Sequence, residues 1–174
     1  MVRGPQNGRA PHLFALLLFA GVVAIVWWLL AMGERFLPEF ARLLDRPVLH
    51  RGSLSVFFGL SSVTGALRGR EVAGTLQLKR GRYTQGSLII AMRVGGEQTL
   101  TYDGIEARTR DDTGRRALFT IAANDILLNV EDGWLKALWQ PTGFVIFPGS
   151  FEEQKWRKVL DAMSAIAASL ESAT

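Results

Sequence analysis

Two histidines, sixteen carboxylates and no cysteine are what this chain offers for acid–base, nucleophilic or metal chemistry. With no thiolate and no paired histidines, a zinc site or a cysteine nucleophile is ruled out. His12 lies at the edge of a long apolar stretch and His50 in a linker. A Ser–His–Asp triad would have to use His50, and no GxSxG turn presents a serine. The phosphate-cradling patterns GxGxxG and GxxxxGK[ST] are absent too. Two acidic doublets remain, Asp111-Asp112 in what reads as a hairpin turn and Glu152-Glu153 in a helix cap. A glycosidase-like pair needs carboxylates facing each other across a cleft, which sequence neighbours on a turn or cap rarely provide. The expectation is a protein that is not an enzyme and holds no cofactor or metal.

Its basic residues point to binding. Arg68, Arg70, Lys79, Arg80 and Arg82 fall in or beside two turns and are the candidate contacts for an anionic surface. If strands 61–67, 71–79 and 86–94 are consecutive neighbours, these turns sit at opposite ends of the shared strand and form two patches. Arg108, Arg110, Arg115 and Arg116 bracket the acidic turn at 111–112. Lipid head groups favour nearby cations by about 1 kcal/mol each. Nucleic acid fits poorly, because no aromatic pattern of the RNA-binding kind is interleaved with the arginines. The stretch GWLKALWQPTGFVIFPGS (133–150) supplies a second candidate surface, in which Trp134, Leu138, Trp139, Phe144 and Phe147 would meet a partner. Alternation puts Phe144 and Ile146 on one face of a strand, Val145 and Phe147 on the other, so both faces are apolar and need cover.

The elements that must hold these groups begin with an apolar rod, LFALLLFAGVVAIVWWLL (Leu13–Leu30). The uncharged sequence from Ala10 to Gly33 would reach roughly 36 Å as a helix, against a hydrocarbon core of about 30 Å. Residues 12–33 are therefore read as a transmembrane signal-anchor helix after a short basic tail, 1–11. Leu13, Phe14, Leu17, Val22, Val26, Trp27, Trp28 and Leu30 are its membrane-facing residues. The rod exceeds the 7–15 apolar residues usual for a cleaved signal, although Ala31-Met32-Gly33 has the form signal peptidase accepts. Arg35, Arg42, Arg46 and Arg51 follow the rod, against Arg3 and Arg9 before it, so the flanks lean toward a cytoplasmic C-terminal domain on a bacterial-type inner membrane. Residues 34–52 read as a juxtamembrane amphipathic helix and linker. Leu37, Phe40, Leu43 and Leu44 share one face there, and Pro38 suits a first helical turn.

From Leu54 to Phe147 the apolar period falls to two. Val72, Gly74, Leu76 and Leu78 alternate with Ala73, Thr75 and Gln77; Leu88, Ile90, Met92 and Val94 share a face; Ala117, Phe119 and Ile121 alternate, as do Ile126, Leu128 and Val130. This is half-buried antiparallel behaviour. With turns at 68–70, 79–86, 94–98, 111–114, 131–133 and 140–143, it predicts about seven short strands in a meander. A C-terminal helix over 150–171 follows, with Ser150 as N-cap, Glu153 completing a capping box, and an apolar stripe through Trp156, Val159, Leu160, Met163, Ile166, Ala167 and Leu170.

A strand run closed by one amphipathic helix is an α+β arrangement, an open sheet or small barrel over 53–174. Its order of elements is similar to the pleckstrin-homology-like fold in topology alone, with no residue motif behind the likeness. The function expected is a single-pass, membrane-anchored, non-catalytic accessory or interaction subunit of a larger membrane assembly. Its partners would be the lipid bilayer and other membrane protein subunits. The alternatives are an anionic-lipid surface-binding module and an enzyme with an unrecognised site.

Overall fold

The computed structural model describes residues 10–51, 61–79, 85–96, 98–140 and 151–173, with the side chains of 10–13, 25–35, 51, 61, 77–79 and 85–86 left out. In chain order the elements are α1 (Ala10–Ala41), β1 (Asp45–Arg51), β2 (Ser61–Leu67), β3 (Arg70–Lys79), β4 (Gln85–Arg93), α2 (Tyr102–Arg108), α3 (Asp112–Ala122), β5 (Ile126–Glu131), β6 (Trp134–Trp139) and α4 (Glu153–Ser172). The six described strands form one antiparallel sheet in the order β1-β2-β3-β4-β6-β5.

The α+β class and the antiparallel sheet agree with the sequence reading, and three parts of that reading are corrected. The expected transmembrane helix is not upheld: among the described residues no helix is long and apolar enough to cross a membrane. The rod does not stop at Gly33. It runs on as the single helix α1, whose last turns bury Phe36, Leu37, Phe40 and Ala41 in the core of the body. Pro38 accordingly lies inside α1 rather than in a first turn, where it has no N–H to give the carbonyl four residues back.

The strand count is also corrected, to six among the described residues instead of about seven, and the meander is broken. Residues 101–122, read partly as strand, are two helices. Gly114, Ala117, Leu118 and Ile121 are buried at helical spacing, whereas Phe119 points outward. The chain leaves β4 through α2 and α3, lays β5 at the edge, and returns with β6 into the gap beside β4.

The third correction concerns the last helix, whose N-cap is Glu152, with no side-chain cap bond. Ser150, the expected cap, lies outside the described residues.

Register fixes which side chains share a face. One inner row runs Val63, Gly74, Ile90, Ala137 and Leu128; the next runs Gly65, Val72, Met92, Leu135 and Val130. Apart from the glycines, and with Gly65 half-exposed, these are buried apolar residues against which α1 and α4 pack. The outer rows, such as Thr64, Ala73, Ala91, Lys136 and Asn129, are half-exposed or exposed. Gly74 has a specific reason to be glycine: a Cβ there would stand 2.9 Å from the Phe40 ring. The hairpins β2–β3 and β5–β6 turn on Arg68-Gly69 and Asp132-Gly133, with positive φ at all four residues. That is the two-residue turn whose twist matches the strands.

Two ends of the sheet can be told apart. The near end carries Ser61, Leu76, Leu88, Trp139 and Ile126 in one row; the far end carries Leu67, Arg70, Arg93, Trp134 and Glu131. Leu44 of the chain after α1 lies over Gly65, Phe40 over Gly74, and Phe36 edge-on to Trp156, which in turn packs on Trp139. Traced backward, α1 therefore climbs from the middle of the sheet to its near end and continues past it.

Candidate functional site

The part of α1 that has left the body is the most unusual surface described. Phe14, Leu16, Leu17, Leu18, Phe19, Val22 and Val23 are 49–69% exposed. At 100° per residue these positions are distributed round the whole helix, with no polar stripe among them. A helix apolar on every side is one that other apolar matter covers. Of the expected membrane-facing residues, Phe14, Leu17 and Val22 belong to this shaft. Leu13, Val26, Trp27, Trp28 and Leu30 lie on the same helix, but their side chains are outside the described residues.

An aromatic joint fixes the shaft to the body. Phe36 meets Phe40 at 6.4 Å, Phe151 at 5.2 Å and Trp156 at 5.6 Å between ring centroids, and Trp156 meets Trp139 at 5.4 Å. Most of these contacts are edge-to-face, the geometry the ring quadrupoles favour. Lys155 places its ammonium 5.0 Å from the Trp139 ring centre and 5.6 Å from that of Trp156. The joint explains Trp139, which belongs to the inner face. Trp134 and Leu138 lie on the outer face by register, Trp134 under the Arg93 guanidinium at 5.3 Å. The expected partner cluster is thus divided between the two faces of the sheet, and Phe144 and Phe147 lie outside the described residues.

The basic candidates are also separated. Arg70 makes a two-pronged ion pair with Glu171 at 2.5 and 2.6 Å, and Glu171 further accepts from the Gly95 N–H at 3.0 Å. The hydrogen bond with Arg70 is the main cause holding the Glu171 carboxyl below its ordinary range, and the same bond raises Arg70. Arg68 pairs with Asp161 at 2.7 Å. Both contacts fasten α4 across the far end of the sheet. Lys79 ends β3 at the near end, and Arg80 and Arg82 lie outside the described residues.

A groove of about 640 Å³ lies where the α2–α3 junction meets the end of α4, lined by Arg108, Arg110, Asp111, Ser169, Ser172 and Ala173. Asp111 is the N-cap of α3 and not a hairpin residue. It accepts from Gly114 N–H at 3.0 Å and from the Ser169 hydroxyl. The Ser169 bond first, then the backbone N–H, hold its carboxyl below the ordinary range, which suits a cap. His50 bonds the Thr64 hydroxyl at 3.2 Å on the outer face, away from this groove. Among the described residues no three His, Asp or Glu side chains are grouped to hold a metal ion.

The chain matches no family model, no curated protein and no solved structure. The functional reading therefore stands on the geometry. Sequence reasoning missed the groove and the exposed Phe119 because it read 111–114 as a hairpin turn and Ala117, Phe119 and Ile121 as strand. The signal that identifies the helix there is Asp111 followed by the spacing of Gly114, Ala117, Leu118 and Ile121.

Proposed function

We propose that this protein is a non-catalytic interaction subunit that attaches a small α+β body to a larger membrane assembly through the apolar shaft of α1. One observation carries this reading: the shaft exposes large apolar side chains all round, and a helix of that kind is stable only when acyl chains or apolar helices cover it. The joint of Phe36, Phe40, Phe151, Trp139 and Trp156 supports it, because it gives the shaft a firm seat on the body.

The test is recovery from native membranes in mild detergent, with mass determination of the purified particle. The expected result is a complex of fixed composition that is lost in Leu17→Glu while the body keeps its circular dichroism. Recovery of the unaltered protein as a lone monomer overturns the reading.

A further inference from the structure

We infer that the outer face of the sheet is a dimerisation surface, on which the same face of a second copy packs about a two-fold axis parallel to the strands. This surface belongs to the sheet alone and is independent of how α1 is used.

The outer face is uncovered and yet not polar. α1 and α4 pack on the inner rows. Among the described outer-row side chains only Ser87, at the near rim, is buried. An antiparallel sheet with one face in water carries polar residues on that face. Here Ala73, Ile89, Ala91, Leu138 and Trp134 hold outer positions on β3, β4 and β6.

Large and small side chains are divided between the two halves of the face. On β2 and β3 the outer residues are small, Ser62, Thr64, Ala66, Ala73 and Thr75, with Glu71 as the exception. On β4 and β6 they are larger, Ile89, Arg93, Trp134, Lys136 and Leu138, with Ala91 between. One half is a trough and the other a ridge. A two-fold axis running between β3 and β4 exchanges them, setting β3 against the second copy's β4 and β2 against its β6. Ala66 then meets the partner's Trp134, Ser62 the partner's Leu138 and Thr75 the partner's Ile89. Each time a small residue faces a large one, and the symmetry makes every pairing twice.

Charge follows the same axis. Glu71 and Arg93 stand at one level on β3 and β4, so each Glu71 comes opposite the partner's Arg93. Glu71 is exposed and makes no ion pair among the described residues. Lys136 is paired with Glu131 in its own chain at 2.5 Å. Asp45, at the far corner of β1, comes nearest the partner's Glu131, whose charge Lys136 already offsets. Lys79 ends β3 at the near rim.

The area is sufficient. With six strands about 4.8 Å apart, the outer rows cover roughly 600 Å² in projection on each copy, so two copies exceed the about 1,000 Å² in total that a specific interface needs. The axis also leaves the near ends of both copies, and with them both α1 helices, on one side.

A charge exchange read by mass is the test. The full chain is purified in mild detergent unaltered, as Glu71→Arg and as Arg93→Glu, with circular dichroism as the control for folding. The expected result is a dimer of the unaltered chain and dimerisation weakened about tenfold or more in each variant, because like charges then face each other. Mixing the two variants in equal amounts should restore the dimer, since in a mixed pair both contacts again join opposite charges. The chain has no cysteine, so introduced ones locate the axis. Ala91→Cys, beside it, should cross-link to its own counterpart through a short bis-maleimide. Leu127→Cys and His50→Cys, each about 24 Å from its counterpart across five strand spacings, should cross-link only when the two variants are mixed.

A monomer at every concentration overturns the inference, and is the outcome where a segment of this chain covers the face instead. A dimer that survives both charge variants and is lost in Leu17→Glu puts the contact on α1, which overturns the outer-face dimer and leaves the attachment reading standing. Loss in both variants without recovery on mixing, or cross-linking of Leu127→Cys alone as strong as that of Ala91→Cys, overturns the axis and the inference with it.

Discussion

Glu171 shows how much one carboxylate does for this fold. It receives two guanidinium N–H groups from Arg70 and the main-chain N–H of Gly95, and so ties the last turn of α4 to the ends of β3 and β4. Its folded pKa is lowered, with the Arg70 bond as the leading cause. A group of this kind stabilises the fold fully above its unfolded carboxylate pKa and loses that contribution as pH falls through the folded value. Urea midpoints measured from neutral pH down into the acid range are expected to fall more steeply in the native protein than in Glu171→Gln. At neutral pH the substitution costs about 1 kcal/mol, a modest figure because part of the side chain stays in water. Asp111 is shifted the same way, so Asp111→Asn should also flatten the acid side of the profile. Gly74→Ala tests packing: its Cβ meets the Phe40 ring at 2.9 Å, and overpacking of this kind costs about 1–3 kcal/mol in denaturant titration.

Among the elements, those whose burial follows one clean period were readable in the sequence. Val72, Leu76, Leu88, Ile90 and Met92 alternate along β3 and β4 and are buried. Ile126, Leu128 and Val130 do the same along β5. The α4 stripe from Trp156 to Leu170 is buried as its spacing requires. α3 was misread because Ala117, Phe119 and Ile121 satisfy a period of two by coincidence. Leu118 and Gly114 break that period and restore one of 3.6. The end of the rod was misplaced for a different reason. Local signals at Gly33 and Pro38 favour a break, yet the burial of Phe36, Leu37 and Phe40 against the sheet keeps the helix continuous. That contact is between residues far apart in sequence, so no local pattern carries it.

The candidate surface was legible where it depends on composition, as on the shaft, and illegible where it depends on topology, as in the division of Trp134 from Trp139. Trp156→Ala should remove the centre of the aromatic joint and cost about 3–5 kcal/mol. Increased protease access to α1 should accompany that loss, and an unchanged cleavage rate in limited proteolysis would show that the joint does not hold the shaft.

At the scale of the whole molecule, the sheet is held from its middle. β4 lies between β3 and β6 and contributes Leu88, Ile90 and Met92 to the core, whereas β1 is an edge strand with Pro47, an irregular register and Arg46 at φ 49°. Such features blunt an edge against pairing with other chains. Hydrogen exchange on the intact protein in detergent is expected to give the slowest amides in β4 and β6 and the fastest described strand amides in β1. Equal protection across the six strands would contradict that ranking.

The position of β6 also has a meaning in time. The strand that joins β4 to β5 is the last strand described, while α1 precedes every described strand. At ribosomal speeds of about 5–20 residues per second, roughly a hundred residues separate the completion of α1 from the completion of β6, an interval on the order of 5–20 s. Throughout it the growing chain carries a finished apolar helix and a sheet missing one of its inner strands. The order of synthesis therefore completes the apolar helix well before the body can make its final strand pairing.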